Sequence, residues 1–435
     1  MPETPPPQRW DRRWSRRRWL GTGALLAAGS AWLARPADRG GPAEPYFQGL
    51  SHALQAEGLA QARLVVDLPR LRANLARIGA HQQKTGMALR AVLKSLPRLP
   101  LMDEVASAWG SRKVMAFNAA QTAALLQARP DAQVLLGKPF PVAAAAQLLD
   151  QLPPPRVAAI EWLVDTEARL AQYRQLAQAR GQVLRINLEI DVGLHRGGFE
   201  DEASLGRALA SFKSSPGLQW RGFMGYDAHV AALPDVAGMR STAWATARQR
   251  YERAWALAQQ LLGPQRRQDL TLNTAGSPTF RLHDGQGVPN EVSVGSAAVL
   301  PSDFDKPLLT DLQPALFIAT PVLKAWPRFR LPEGATWLSR AAQAWDRNQA
   351  RGYAIHGGHW LADPVSPPGL QASGLYGPSS NQQVMVASDS VELQADQLVF
   401  WRPRQSEALL LQFGDLLVFD GQRITGAWPV LPASA

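Results

Sequence analysis

A parallel (β/α)8 barrel followed by a β-rich C-terminal domain is the fold class this sequence predicts, and three observations predict it. From residue 63 to about 300, short apolar runs alternate with amphipathic helical patterns, the arrangement of a parallel α/β fold. The number of such runs, over roughly 250 residues, favours a closed barrel over an open sheet. Around residue 310 the texture changes to short strands separated by Gly, Pro and Asp, with little helix.

Three regions follow in order: residues 1–40, a basic leader; 60–309, the barrel; and 310–432, the β-rich domain. The leader carries Arg16-Arg17-Arg18 ahead of an uncharged Ala/Gly/Leu-rich stretch from Gly21 to Ala34. A basic n-region with a short, weakly apolar h-region describes a twin-arginine export signal, so the expected location is the periplasm. The stretch falls short of the ~20 apolar residues a bilayer span takes. No clean Ala-x-Ala site ends it, which leaves a retained membrane tether open. "RLVVD" is expected as a buried strand, with Asp67 capping a helix that has Pro69 in its first turn and Leu68, Leu71, Leu75 and Ile78 on one face. "MALRAVLK", "RKVMAFN", "AQVLLGK", "AIEWLVD", "LRINLEID", "QWRGFMGYDAH", "DLTLNTAG" and "EVSVGSA" are further strands. Helical patterns lie between most of them, as over 166–180 and 237–262. In the last region "ALFIATPVLKAWP", "GYAIHGG", "QQVMVASDSVELQ", "EALLLQFGDLLVF" and "QRITGAWPV" are expected as short strands.

Composition narrows the function. The net charge of +10 is half accounted for by residues 1–40, where eight Arg face three acidic residues. No dense basic run remains elsewhere, so a nucleic-acid surface is a poor explanation of the charge. With no cysteine, disulfides, Cys-ligated metals and thiol nucleophiles are excluded.

Barrel active sites lie at the C-terminal ends of the strands, and polar groups gather there. Lys94 ends the apolar run "ALRAVLK". Either it snorkels to solvent, or it is a desolvated amine with a depressed pKa, ready to form an imine. Asp191, His195 and Arg196 close another strand, and Tyr226, Asp227 and His229 a third. The late strands end in Gly276, Ser277 and Thr279 and in Gly295 and Ser296, where barrels commonly bind phosphate through small-residue loops.

These residues resemble the barrel of the fold-type III pyridoxal-phosphate enzymes, the alanine-racemase-like fold, and within it the D-threonine aldolase / D-serine dehydratase group. The family strand Arg-Pro-His-x-Lys is matched by Arg90 and Lys94 at its ends, without the Pro and His. Ile-Asp-x-Gly-x-x-Arg-x-Gly is matched by Ile190, Asp191, Gly193, Arg196 and Gly198, and Tyr-x-x-His by Tyr226 and His229. The phosphate loop Gly-Ser-Thr-Pro-Thr is echoed by Gly276, Ser277, Pro278 and Thr279. Glu-x-x-x-Gly-x-Tyr is echoed by Glu291 and Gly295, with Ala297 in place of the aromatic.

The resemblance implies pyridoxal 5'-phosphate as cofactor, bound by Lys94 as a Schiff base. It implies Tyr226 at the pyridine nitrogen and Gly276, Ser277, Thr279, Gly295 and Ser296 around the phosphate. Arg196 and His229 would join Lys94 in catalysis. The implied reaction is that of a lyase on a D-3-hydroxy amino acid. An amino-acid racemase, or a non-catalytic protein that binds the cofactor, is the alternative, and a homodimer is the implied assembly. The group's divalent metal is held around Pro-Asn-His-x-Cys, and the stretch Trp401 to Glu407 carries neither that His nor a Cys. No metal ligands are therefore assigned, although His356, His359 and Asp363 share one turn-rich stretch.

Overall fold

A computed structural model describes residues 35–432; the twin-arginine pattern and the tether it would provide lie outside them. The described chain forms two compact units. The larger covers Pro45–Pro321, His359–Val365 and residues 398–432; the smaller covers residues 35–44, Val322–Gly358 and Ser366–Gln397.

The first strand, β1 (Arg63–Asp67), is followed by a helix over Leu68–Thr85. Asp67 Oδ1 accepts the N–H of Arg70, Pro69 occupies the first turn, and Leu71, Leu75 and Ile78 are buried, as the sequence predicts. The barrel comes next: β2 (Ala88–Val92), β3 (Lys113–Ala116), β4 (Gln133–Leu136), β5 (Ile160–Val164), β6 (Leu184–Glu189), β7 (Leu218–Gly225), β8 (Thr271–Thr274) and β9 (Glu291–Val294). All neighbours are parallel, and β9 closes on β2 with Ala88 opposite Glu291. Helices over Glu167–Arg180 and Met239–Leu262 fall where the periodicity places them.

The sequence offers nine strand-like runs for eight barrel positions, and the extra one is β1. It pairs antiparallel with residues 316–319 and parallel with residues 417–419. Once β2 and β9 have paired, the barrel has no free edge to accept a ninth strand.

The C-terminal stretch supplies β10 (Leu316–Trp326), β11 (Arg351–His356), β12 (Ala362–Ser366), β13 (Gln371–Ala372), β14 (Gln382–Ala387), β15 (Leu398–Pro403), β16 (Leu416–Phe419) and β17 (Ile424–Trp428). In the larger unit, β1 lies between β16 and residues 316–319 of β10, residues 318–321 of β10 also pair with β15, and β16 pairs with β17. Their apolar face meets the helix Pro45–Ala56, so that Phe47, Leu50 and Leu54 share a core with Val65, Phe317, Phe400 and Phe419. In the smaller unit, residues 322–326 of β10 pair with β11, and β14 lies between β11 and β13.

Two expectations need correction here. The "EALLL" of the expected strand is helical over Ser406–Leu410, with Ser406, Leu409 and Leu410 buried: those positions recur at i, i+3 and i+4, a helical spacing. A helix over Thr336–Trp345 also stands in the region expected to hold little helix.

Inside the barrel wall, Arg90 Nε lies 2.6 Å from Glu291 Oε1 and Lys113 Nζ 2.7 Å from Glu291 Oε2. Asn273 donates to the same carboxylate at 2.9 Å. Burial alone would raise the Glu291 carboxyl, but the two cations outweigh it and hold it at about 2. Arg90 and Glu291, the outer members of two sequence motifs, are therefore one buried ion pair joining β2 to β9.

Candidate active site

The C-terminal ends of the barrel strands enclose a cavity of about 110 Å³, well above the ~10–15 Å³ that one water needs by this measure. Lys94, Arg196, Tyr226, Gly276, Ser277, Gly295 and Ser296 line it together, with Ser95, Phe117, Ser293, Phe304 and Glu407. Of the nine residues singled out for catalysis or cofactor binding, seven meet at this one place. His229 and Thr279 are not in its lining.

Lys94 stands in a short 3-10 turn, Leu93–Ser95, directly after β2. Its Nζ lies 4.7 Å from the centroid of the Phe117 ring. Phe117 is seated on Gly137, where any Cβ would come within 2.5 Å of the ring. The ammonium is 3.4 Å from a carboxylate oxygen of Glu407, and Ser95 Oγ donates to that carboxylate at 3.2 Å. The side chains of Lys94 and Glu407 are 41% and 38% exposed. The expected deep burial is therefore absent, and the ammonium is paired with the Glu407 carboxylate.

Arg196 comes from the loop after β6, which is built around Asp191. Oδ1 of Asp191 accepts the N–H groups of Gly193 and His195, and Oδ2 meets His195 Nδ1 at 2.6 Å. Burial pushes the Asp191 carboxyl up, and the hydrogen bonds from His195 and Gly193 more than offset this, leaving it below the usual carboxylate range. Gly198, at φ +96, passes so close to the backbone that a Cβ would lie 2.6 Å from Asp191 N. The Asp and Gly of this motif thus shape the loop, and Arg196 is what it presents. The guanidinium stacks on Tyr226, 4.7 Å from the ring centroid. Tyr226 follows β7 directly; burial raises its hydroxyl above the ordinary value, against the pull of Arg196.

The loop after β8 packs against the same ring, since a Cβ on Gly276 would lie 2.7 Å from Tyr226 Cε2. Thr279 is fully buried beneath it. Its Oγ1 donates to Asp227 at 2.5 Å and accepts the N–H of Gly276 at 3.2 Å. Asp227 also holds His283 Nε2 at 2.7 Å. Thr279 therefore props the loop from below. Ser277 Oγ accepts the N–H groups of Gly295 and Ala297, at 3.0 and 3.1 Å, which ties the loops after β8 and β9 together. Those two bonds leave the Ser277 hydroxyl proton to donate.

His229 opens a short helix, His229–Ala232. Its Nδ1 is buried without a hydrogen-bond partner, and burial lowers its titration below the ordinary value. Its Nε2 would come within 3.3 Å of a Cβ on Gly193, so it packs against the Asp191 loop. Among the described residues, no group of three or more His, Cys, Asp or Glu is placed to hold a metal ion, and Asp363 accepts a hydrogen bond from Ser302.

Two residues of interest escaped the sequence. Glu407 carries no local pattern, and only the fold brings it to Lys94. Glu189 ends β6 and resembles any other strand-end carboxylate. It is 9% exposed, and burial, reinforced by Asp165 and opposed by Arg196, pushes it up to about 7.

Comparison with known proteins agrees with the fold. The chain is similar in structure to D-threonine aldolase from Filomicrobium marinum, at 19% identity over 91% of this chain and 98% of that one, with a TM-score of 0.68. It is also similar to D-threo-3-hydroxyaspartate dehydratase from Delftia sp. HT23, at 16% identity over 86% and 98% of the two chains and a TM-score of 0.66. Alanine racemase from Bacillus anthracis gives 14% identity over 85% and 98%, and a TM-score of 0.64. No curated protein sequence matches the chain. Residues 66–303 match the family described as "Alanine racemase, N-terminal domain". That stretch is more than half of the sequence and holds β2 to β9 entire: the chain belongs to the alanine racemase N-terminal domain family.

Proposed function

We propose that the protein is a pyridoxal 5'-phosphate enzyme acting on a small amino acid, and specifically a lyase for a D-3-hydroxy amino acid. One observation carries the reading: a single cavity at the strand ends is lined at once by a primary amine, Lys94, and by the Gly/Ser turns that end the last two strands. The residues fit the cofactor. At Gly276 and Gly295 the backbone packs so tightly that a Cβ would lie 2.7 Å from Tyr226 and from Val92. Backbone and serine hydroxyls, rather than bulky side chains, therefore form that wall, and a phosphate is held well by such donors.

Lys94 would hold the cofactor through Nζ, Ser277 and Ser296 with their glycine turns would hold the phosphate, and Tyr226 would face the ring nitrogen. When bound, the cofactor supplies the electron sink for breaking a bond at the amino-acid α-carbon. Arg196, kept in place by the Asp191 loop and by its stack on Tyr226, gives the cavity a fixed positive charge for a substrate carboxylate. Tyr226, held as the neutral phenol, offers a hydrogen bond without adding charge.

A specific observation favours the lyase over the racemase. Racemisation needs a second acid/base group, commonly a tyrosine of the second domain. Tyr353 is buried in the smaller unit with its hydroxyl on the Val391 carbonyl, and Tyr376 donates to the Arg330 carbonyl. The test is an absorption spectrum with pyridoxal 5'-phosphate, followed by assay. The expected outcome is a visible band in the native protein, lost in Lys94→Ala, with D-threonine consumed and L-alanine left optically unchanged. A colourless native protein would overturn the cofactor; colour with no turnover would point to a non-catalytic binder.

The basic pattern of Arg16 to Arg18 ahead of Gly21–Ala34 supports export to the periplasm within the same proposal. Cell fractionation should find the protein outside the cytoplasm, and the variant with Arg16→Lys and Arg17→Lys inside it.

A further inference from the structure

The C-terminal part of the larger unit sends one short segment, residues 405–414, onto the barrel mouth, and four hydrogen bonds hold it there. Ser406 Oγ lies 3.1 Å from Ser296 Oγ. Ser95 Oγ donates to Glu407 Oε2 at 3.2 Å. The fully buried Arg98 donates through its two terminal nitrogens to the carbonyls of Leu410 and Gly414, both at 2.7 Å. Glu407 is thereby fixed with its carboxylate oxygens 3.4 and 3.5 Å from Lys94 Nζ. The ordinary explanation is a surface ion pair, which contributes little on its own. This pair, however, is held by a partner hydroxyl and an arginine-clamped loop, and it stands in the cavity wall.

We propose that Glu407 is the proton partner of Lys94. The inference rests on the reading of Lys94 as the residue that captures an aldehyde. A primary ammonium cannot attack a carbonyl until it has lost a proton. Glu407 is the carboxylate within reach to take it. The nitrogen lone pair then forms the new bond to carbon as the carbonyl π pair moves to oxygen. That oxygen leaves as water with two protons, one returned by Glu407 and one from the nitrogen. The net change is ammonium plus aldehyde to a protonated carbon–nitrogen double bond plus water, with Glu407 regenerated as carboxylate.

The test follows covalent capture and needs no turnover. Purified full-length protein is mixed with pyridoxal 5'-phosphate, samples are reduced with borohydride at intervals, and the modified Lys94 peptide is counted by mass spectrometry. Glu407→Gln keeps the size and polarity of the side chain and removes its basicity, so capture at Lys94 should slow at least tenfold. Glu407→Asp should recover part of the rate, and added formate should speed Glu407→Ala while leaving the native protein unchanged. A purely structural role would not respond to formate. Native-like capture in Glu407→Gln, or no formate effect in Glu407→Ala, overturns the proposal. The absence of any Lys94 adduct in the native protein would instead overturn the cofactor reading on which it rests.

Discussion

At the scale of single residues, Glu189 shows how place sets chemistry. It ends a barrel strand, is nine-tenths buried, and is pushed up to about 7 by burial first and by Asp165 second. A carboxyl raised on folding binds a proton in the native state that the unfolded chain has already lost, so stability falls as pH rises between the two values. That window runs from the ordinary value of 4.5 to about 7. Glu189→Gln, which cannot ionise, should remove this falling limb. Its stability relative to the native protein should improve by up to about 3 kcal/mol between pH 4.5 and 8, as read from urea midpoints across the range. Equal pH dependence in the two proteins would show that Glu189 titrates normally. Lys94, Arg196 and Tyr226 could be picked from the sequence because their residue types at strand ends are unusual and informative. Glu189 and Glu407 could not, because a glutamate at a strand end or in "RQSEALL" is the commonest sort of surface residue, and only the fold tells it apart.

At the scale of elements, the loop over Asp191 to Gly198 shows how a motif can build a turn and present a side chain to a cavity at once. Its Asp and Gly make the turn, and its Arg is the product. Gly198 combines φ +96 with backbone atoms 2.6 Å from any Cβ, whereas Gly181, also left-handed at φ +58, has nothing within 4 Å. Gly181→Ala should therefore cost only the left-handed penalty of about 1–2 kcal/mol. Gly198→Ala should cost more and also disturb Arg196, which thermal melts of the two variants would reveal. Similar costs would mean that the loop yields. The helix over Leu68–Thr85 was legible down to its cap because Asp67 and Pro69 are local signals. The fate of β1 was not: "RLVVD" is an apolar run like its neighbours, and its partners lie some 250 residues or more downstream. The misread "EALLL" has a similar cause, since five apolar-rich residues fit a strand or a buried helical turn equally well.

At the scale of the whole molecule, the barrel is closed between its first and last strands by the Arg90–Glu291 pair, with Lys113 and Asn273 completing the carboxylate's partners. Removing one member of a buried pair leaves the other uncompensated, at a cost of about 3–5 kcal/mol. Glu291→Gln should lower the urea midpoint accordingly, with the slope of the transition unchanged. The native Glu291 carboxylate stays ionised down to about pH 2, whereas the unfolded chain takes up the proton near 4.5, so this contribution should be full above about pH 4.5 and decline progressively as the pH falls to about 2. A Glu291→Gln variant as stable as the native protein would show that the closure needs no charge. The fold class was open to view because a barrel repeats one unit many times, and eight weak local signals reinforce each other. The way the C-terminal strands sort between the two units has no such repetition.

The pairing of β1 has a bearing on how the chain is made. Its hydrogen-bonding neighbours are residues 316–319 and 417–419, so this strand has no partner until residue 316 emerges and keeps one bare edge until residue 417 does. Contacts so remote in sequence are slow to form, and Glu407 arrives with the same late segment. Synthesis therefore covers the last bare edge of β1 with the same late stretch that brings Glu407 to the barrel mouth.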